Sequence, residues 1–451
     1  MQLNLTLAKI AQFCNGSLSQ QSDPDQLIDS LTIDSREIDR NGIFVAIIGQ
    51  SQDGHKFVES ALQKGAVAAI VNKDCLSKQP NLIYVDDTTK ALGMIAHNHR
   101  MQFEIPVVAI TGSNGKTTVK EMLKSVCIES YGANAVLASS ASLNNQWGVP
   151  LTLLNLTKEH EVAILEMGMN HPGELDYLSK LAAPTVAVVN NVMRAHYGFF
   201  NSLEEIAKAK FEIFNGLVPD GVACINPNIS HADIALDKLK HLPVKLYEYG
   251  IEGSNLYYVK DAEEKTVATK SSEIHPKLRV LGEHNYDNAL TVIALAKNIG
   301  CNKLQIEKGL YNFKGYNSRL EPKTAFNGAM IIDDSYNANP DSVKAAILAI
   351  DRLPKPHWLI LGDLRELGEH SAKFHQEVGK FAKDNKIDVL ITVGEDSRHA
   401  TDHFDGVSVH FATNAEVVDY CLTLLPPNAT LLIKGSNSMK LNEVVNRLVG
   451  A

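Results

Sequence analysis

Cysteine is sparse in this 451-residue sequence: six in all, at Cys14, Cys75, Cys127, Cys224, Cys301 and Cys421, with no Cys-x-x-Cys spacing. That scatter excludes a disulfide framework and a thiolate zinc site, and it predicts reduced thiols. Positive charge is not in excess either, with 43 Lys+Arg against 52 Asp+Glu and a net charge of −9. Nothing therefore points to a nucleic-acid surface, and no basic block points to a membrane. No apolar run approaches the roughly 20 residues of a membrane span. The start, Met1-Gln2-Leu3-Asn4-Leu5-Thr6-Leu7, alternates polar and apolar residues without a basic lead, which predicts no targeting segment and a cytoplasmic location. Short-period repeats and low-complexity segments are also missing, which removes solenoids, coiled coils and long disordered tails. Any anionic ligand must be held by local positive groups.

What is present is enough chain for about three domains at about 150 residues each. The predicted divisions are 1–86, 87–315 and 316–451. The first mixes short strands and helices, including an apolar strand over 43–48 and another at 82–85 that runs into Asp86-Asp87-Thr88-Thr89, a helix-start signal. Its polar turns, Asp34-Ser35-Arg36 and Gly49 to His55, read as ordinary loops. The second alternates strands (107–111, 162–166, 185–190, 222–225) with helices (116–130, 173–182, 203–217), and a further helix runs near 284–299. A parallel, helix-covered α/β sheet is expected, with its active residues at the strand carboxyl ends. The third repeats the alternation with strands near 329–333, 358–361, 389–393 and 430–434, which predicts a second doubly wound, Rossmann-like sheet.

The second domain is organised around Val107-Val108-Ala109-Ile110-Thr111-Gly112-Ser113-Asn114-Gly115-Lys116-Thr117-Thr118. A β-branched strand breaks into a glycine-flanked turn and then a helix, the grammar of a phosphate-binding loop. Backbone N–H groups over 112–118 can curl around an anionic oxygen, Lys116 can reach the β/γ-phosphates, and Thr117 can offer its hydroxyl to Mg²⁺. The Walker A pattern would place glycine where Ile110 stands. Glu166, at the end of the strand 162–166, occupies the place of a Walker-B-like acid and is the first metal candidate, with a solvated helix-capping acid as the alternative. His196 follows the strand 185–190 by a short loop. Leu203, Ile206, Ala207, Ile213, Phe214 and Leu217 share one helical face, with Lys210 in the middle of the stripe. Either its stem packs while the ammonium snorkels to solvent, or burial favours a neutral amine. Such an amine can capture carbon dioxide as a carbamate, an anion suited to a second magnesium.

Six motifs resemble the Mur ligase family of ATP-dependent amide-bond-forming enzymes. They are Thr-Gly-Ser-Asn-Gly-Lys-Thr-Thr (111–118), Leu-Asn-Asn-x-x-Gly-Val-Pro (143–150), Glu-Met-Gly-Met-Asn-His-Pro-Gly-Glu (166–174), Gly-x-His-Asn-x-x-Asn (282–288), Asp-Asp-Ser-Tyr-Asn-Ala-Asn-Pro (333–340) and Leu-Gly-Asp-Leu-Arg-Glu-Leu-Gly (361–368). The resemblance implies an N-terminal domain for a UDP-sugar, a central P-loop ATPase domain and a C-terminal Rossmann-like domain that closes over the nucleotide. It further implies a monomeric ligase of peptidoglycan precursor synthesis that uses ATP and Mg²⁺, with UDP-N-acetylmuramoyl-tripeptide and D-alanyl-D-alanine as substrates and an acyl-phosphate intermediate. Carried over by position, Lys116, Glu166, His196 and Lys210 are catalytic, and Thr117, Glu166, His196 and carbamylated Lys210 serve the metal. Gly112 to Thr118, Asn285, Asn288, Arg319 and Asp334 serve the nucleotide. Ser35, Arg36, Asp53, Gly54, His55, Asn144, Asn145, Tyr336 and Asn337 serve the substrates.

The chain departs from the family pattern in four places. Ala141-Ser142 stand where Gly-Asn is usual, Gly198-Phe199-Phe200-Asn201 replace Glu-Gly-Phe-Gly after His196, Ser318 precedes Arg319 in place of glycine, and Asn437 replaces a cation in Lys434-Gly435-Ser436-Asn437-Ser438. Two other functions compete. A sister ligase that adds the third peptide residue would carry Asp-Asn-Pro-Arg, which is absent, and a regulatory GTP switch would carry Asn-Lys-x-Asp downstream of the loop, whereas Asn72-Lys73-Asp74 lies upstream and is one residue short.

Overall fold

A computed structural model describes residues 3–77, 79–140, 143–258, 265–269 and 272–450. Ala141-Ser142 lie outside the described residues. Three mainly parallel sheets follow one another along the chain, in keeping with the α/β reading. The first has five strands in the order Ser17–Leu18, Leu82–Val85, Ala68–Asn72, Gly42–Val45, Ser30–Thr32, parallel except for the first. The expected strand over 43–48 is confined to Gly42–Val45, because the chain turns at Ile48 to pair with Asp53 in an isolated bridge.

The second sheet has six parallel strands in the order Lys245–Glu248, Val222–Ile225, Val186–Val189, Val107–Thr111, Val162–Glu166, Val136–Ala138. Its centre, Val107–Thr111, is buried along its whole length and hydrogen-bonded on both edges, which explains the unbroken β-branched run in the sequence. Alternate residues serve two cores. Val107, Ala109, Leu165 and Val189 face one, while Val108, Ile110, Ile164 and Val188 face the other, beneath the helices Lys116–Tyr131 and His284–Asn298.

The first of these cores continues into the first domain through Leu92 and Ile95 of the helix Thr88–Arg100, reaching Ile43 and Ile70. Asp87 caps that helix by accepting from the Thr89 and Lys90 N–H groups, as the sequence predicts. The third sheet runs Glu321–Thr324, Met330–Asp333, Thr430–Lys434, His357–Gly362, Val389–Val393, Val407–Phe411, parallel except at its first strand, with a core on each face.

In the second and third sheets the edge strands escape the sequence reading: 136–138, 245–248, 321–324 and 407–411. They are short or half-exposed and lack a continuous apolar signature. One helix is corrected. The predicted 203–217 ends as an α-helix at Lys210 and tightens into a 3₁₀ segment, Phe211–Gly216. The cause is tertiary. Glu212 reaches across to accept from the Gly173 N–H at 2.8 and 3.0 Å, capping the helix Glu174–Ala182, and Gly216 lies so close that an added Cβ would sit 2.0 Å from the Ser179 carbonyl carbon. Among the described residues no helix is long and apolar enough to cross a membrane.

Candidate active site

At the carboxyl end of Val107–Thr111 the chain turns through Gly112 and Gly115, and Gly115 adopts φ 79°. That left-handed angle favours glycine, and the space demands it: a Cβ would meet Asn288 Oδ1 at 2.5 Å and Asn190 Nδ2 at 2.7 Å. The loop is held from behind by asparagines. Asn191 Oδ1 accepts from the Asn114 N–H at 2.8 Å, and Asn190 Nδ2 donates to the Asn114 carbonyl at 3.1 Å and to Asn288 Oδ1 at 2.9 Å. Asn288 Nδ2 in turn donates to Asn285 Oδ1 at 2.9 Å. Lys116 folds back, donating to the Gly112 carbonyl at 2.7 Å and the Ser113 carbonyl at 3.3 Å. Its side chain is half-buried, and desolvation of the ammonium holds it below the ordinary lysine range.

Glu166 is buried rather than a solvated cap. It accepts from the Thr117 hydroxyl at 2.8 Å and from Asn144 Nδ2 at 2.9 Å, and among the described residues no cation lies within ion-pair distance. Arg319, from the third domain, donates to the same Thr117 oxygen at 2.9 Å and lies 4.3 Å over the Tyr336 ring, and among the described residues its buried Nε has no partner. The backbone on either side is left-handed, φ 56° at Ser318 and 50° at Leu320, and is fixed by Glu321 and Asp334 carboxylates that accept the two N–H groups. This local strain aims the guanidinium at the phosphate loop.

These groups line a cavity of about 1700 Å³ at the junction of the three domains. The first domain contributes Ile48 to Gln52, the second the phosphate loop, Asn144, Asn145, Glu166 and His196, and the third Arg319, Asp334, Tyr336, Asn337 and Glu366.

The description "Mur ligase middle domain" matches residues 110–296, "Mur ligase, glutamate ligase domain" residues 318–437, and "Mur ligase family, catalytic domain" residues 27–100. A UDP-N-acetylmuramoyl-tripeptide–D-alanyl-D-alanine ligase of Escherichia coli strain K12 is 35% identical over 453 residues, covering 99% of this chain and 98% of its own. The chain belongs to the Mur ligase family. A ligase of the same name as the Escherichia coli protein, from Haemophilus influenzae, is 34% identical, covering 99% of this chain and 98% of its own. A crystal structure of MurF from Acinetobacter baumannii superposes with a TM-score of 0.92 at 30% identity, covering 99% of each chain.

Not every residue expected from the Mur ligase pattern gathers at the cavity. Ser35 and Arg36 do not line it; Arg36 is largely exposed and pairs with Asp34 at 2.6 Å. Asp53, Gly54 and His55 stay behind the lining stretch 48–52. There His55 uses both ring nitrogens, Nδ1 with Asp53 at 2.7 Å and Nε2 accepting from the Asn72 N–H at 2.9 Å. His196 does line it, in a left-handed turn (φ 59°), with Nδ1 2.5 Å from Glu366 Oε2, and that contact holds the Glu366 carboxyl below the usual range. Lys210 is 1% exposed and lies beneath the lining. Burial holds its amine well below the ordinary lysine range, and the nearby charge of Lys116 acts in the same sense. Asp334 lines the cavity while paired to buried Lys434 at 2.6 Å. Asn437, at the position where the family has a cation, donates to the Tyr336 carbonyl at 3.0 Å and so anchors the turn that carries Tyr336 and Asn337.

Sequence reasoning passed over Asn190 and Asn191, and it gave no role to Asn339 and Glu366 although both lie in motifs it singled out. The first two stand just past the strand Val186–Val189, where the rule that parallel sheets bind ligands at strand carboxyl ends would have found them. Asn339 pairs with Asn114 across 225 residues, and no local pattern announces that.

Proposed function

We propose that this Mur ligase joins D-alanyl-D-alanine to UDP-N-acetylmuramoyl-tripeptide at the expense of ATP, in peptidoglycan precursor synthesis. The observation that carries the reading is the single cavity of about 1700 Å³ in which the phosphate loop meets residues of both flanking domains. Sites for one small ligand run to about 300–1,000 Å³, so this one suits a nucleotide together with a long peptide-linked substrate. The divisions at 86/87 and 315/316 follow from the same reading, and they assign the UDP end to the first domain and the ribose and phosphates to the second and third.

In the reaction, the terminal carboxylate of the tripeptide attacks the γ-phosphorus of ATP, ADP leaves, and an acyl phosphate forms. The amine of D-alanyl-D-alanine then adds to the acyl carbon, the tetrahedral intermediate expels phosphate, and the amine loses a proton as the amide forms. Two anions must approach in the first step, so cations belong at the phosphates. Lys116 needs only to swing from the Gly112 and Ser113 carbonyls, and the unpartnered Nε of Arg319 is a free donor. Asn285 and Asn288 frame the adenine side, and Asp334 the ribose.

Magnesium, when bound, supplies charge neutralisation between the phosphates. The donor set fits it. Glu166 is a buried carboxylate with neutral donors and no paired cation, and among the described residues no cluster of three or more His, Cys, Asp or Glu forms a complete cage. Magnesium usually takes one or two carboxylates plus substrate phosphates. Thr117, Glu166 and His196 would hold it, with Lys210 as a carbamate beside a second ion.

The test is phosphate release from ATP, measured with each UDP-linked peptide and each amine supplied or withheld. Release that requires both UDP-N-acetylmuramoyl-tripeptide and D-alanyl-D-alanine is expected. Release indifferent to both would refute the ligase reading, and dependence on the dipeptide precursor with a single amino acid would indicate the sister reaction.

A further inference from the structure

Arg194 stands two residues before His196, in the turn that leaves the strand Val186–Val189, and its side chain crosses from the second domain to the third. One terminal nitrogen lies 2.6 Å from Asp341 Oδ1, Nε lies 3.3 Å from both Asp341 oxygens, and the backbone N–H donates to Oδ2 at 3.0 Å. The other terminal nitrogen donates to Glu377 at 2.8 Å, and the guanidinium lies 5.0 Å over the Phe374 ring. Asp341 sits in the first turn of the helix Pro340–Ala349. The N-cap of that helix, Asn339, exchanges amide hydrogen bonds with Asn114 of the phosphate loop, at 2.6 and 3.3 Å. The turn is gripped a second time where the Gly198 N–H donates to the Glu366 carbonyl at 2.7 Å, so close that a Cβ on Gly198 would meet the Gly368 nitrogen at 2.7 Å.

One helix start therefore touches both the phosphate loop and the His196 turn, and Arg194 is the cation that joins them. Its two carboxylate partners are about a quarter to a third exposed, and both belong to the third domain. The second and third domains also have cores of their own. What such a linkage can fix is where one domain sits on the other.

We propose that Arg194 is a positioning residue for the ligation: through Asp341 and Glu377 it seats the third domain on the phosphate loop, so that Arg319 and Asp334 face the nucleotide held by Lys116. This rests on the ligase reading for its kinetic test. Glutamine at 194 keeps a donor but loses the charge and the fork; lysine keeps the charge and loses the fork.

The experiment measures phosphate release and small-angle scattering on the full chain, comparing the parent with R194Q, R194K, D341N and the R194Q/D341N double variant. R194Q should raise KM for ATP about tenfold and lower kcat several-fold, the scale of one charge-assisted hydrogen-bond pair. Melting temperature and KM for the UDP-tripeptide should stay within about twofold or a few degrees, the range for a partly exposed pair. R194K should recover part of the loss, D341N should resemble R194Q, and the double variant should be no worse than either single one, because both remove the same contact. In scattering, the ligand-free R194Q chain should have a larger radius of gyration than the parent.

Unchanged KM and kcat in R194Q, or losses that simply add in the double variant, would overturn the proposal. A parent that never couples phosphate release to D-alanyl-D-alanine would defeat the ligase reading instead, and the scattering comparison would then decide the role of Arg194 by itself: equal radii would refute it.

Discussion

Replacing Lys210 by methionine separates the amine from its stem. The side chain is 1% exposed, the charge that acts on it is another cation, Lys116, and among the described residues no carboxylate pairs with it. Its amine therefore titrates well below the ordinary value of 10.5 in the folded protein. Between the folded and unfolded values the unfolded chain binds one more proton, so stability must rise with pH through that window. The slope is about 1.4 kcal/mol per pH unit while the folded amine is neutral and the unfolded one charged. For a folding unit of 150–250 residues that corresponds to about 3–6 °C in Tm per unit of pH.

Lys210→Met keeps most of the packing and removes the titration, so its Tm should rise less steeply with pH than the parent's on the alkaline limb below the ordinary lysine range, in bicarbonate-free buffer. Lys210→Ala would confound the comparison by opening a cavity worth about 2–5 kcal/mol. Bicarbonate should then raise the Tm of the parent and not of the methionine variant, because only the parent can form a carbamate. The assay is a thermal scan across pH, with and without bicarbonate, followed by phosphate release. Both variants should have little activity, and short carboxylic acids should partly restore Lys210→Ala by placing an anion in the vacated space. Equal pH slopes for parent and Lys210→Met would refute the burial argument, and full activity of unsupplemented Lys210→Ala would reduce Lys210 to packing.

Lys116→Ala should leave Tm nearly unchanged, since among the described residues the ammonium donates to loop carbonyls alone, yet lower ligation at saturating ATP by about 10²–10³-fold; turnover within a few-fold of the parent would remove the loop from the chemistry. Asp334→Asn keeps one acceptor, for the Leu320 N–H, but turns the oxygen that pairs with Lys434 into a donor and loses the charge, so apparent KM for ATP should rise while KM for the UDP-tripeptide holds; an unchanged ATP dependence would take Asp334 out of the nucleotide site. Gly216→Ala forces a methyl to within 2.0 Å of the Ser179 carbonyl carbon and should destabilise by about 1–3 kcal/mol or more, read as a lowered denaturant midpoint; a neutral result would show that the 3₁₀ segment can move away.

The parts of this fold that the sequence announces are those whose information is local. Val107–Thr111 reads as a central parallel strand because burial on both faces demands an unbroken apolar run, and Asp87 reads as a cap because its acceptor lies two and three residues from its donors. The 203–217 segment misleads because its apolar spacing continues past Lys210, while the backbone obeys contacts made by Glu212 and Gly216 with a different helix. The pairing of Arg194 with Asp341, 147 residues on, leaves no periodic trace, and an arginine in a loop is ordinarily just solvated. At the site, the phosphate loop and Glu166 were legible from strand-end chemistry, whereas the distance of Arg36 and His55 from the cavity lining depends on how the turn at 48–53 folds.

The asparagine backing of the phosphate loop bears on the order in which a ribosome delivers this protein. The loop emerges at residues 112–118, but Asn190 and Asn191 hold it from behind, Asn288 and Asn339 brace it, and Arg319 faces it. Domains generally fold in sequence as they are made, so a nascent chain can assemble the first sheet early, while the loop strand waits for both neighbours, Val162–Glu166 and Val186–Val189. A chain interrupted before residue 316 would possess the lysine and the glycines and lack the arginine and the bracing amide. Newly made or broken copies would then be poor ATP consumers, and hydrolysis would be tied to completion of the polypeptide without any separate inhibitor.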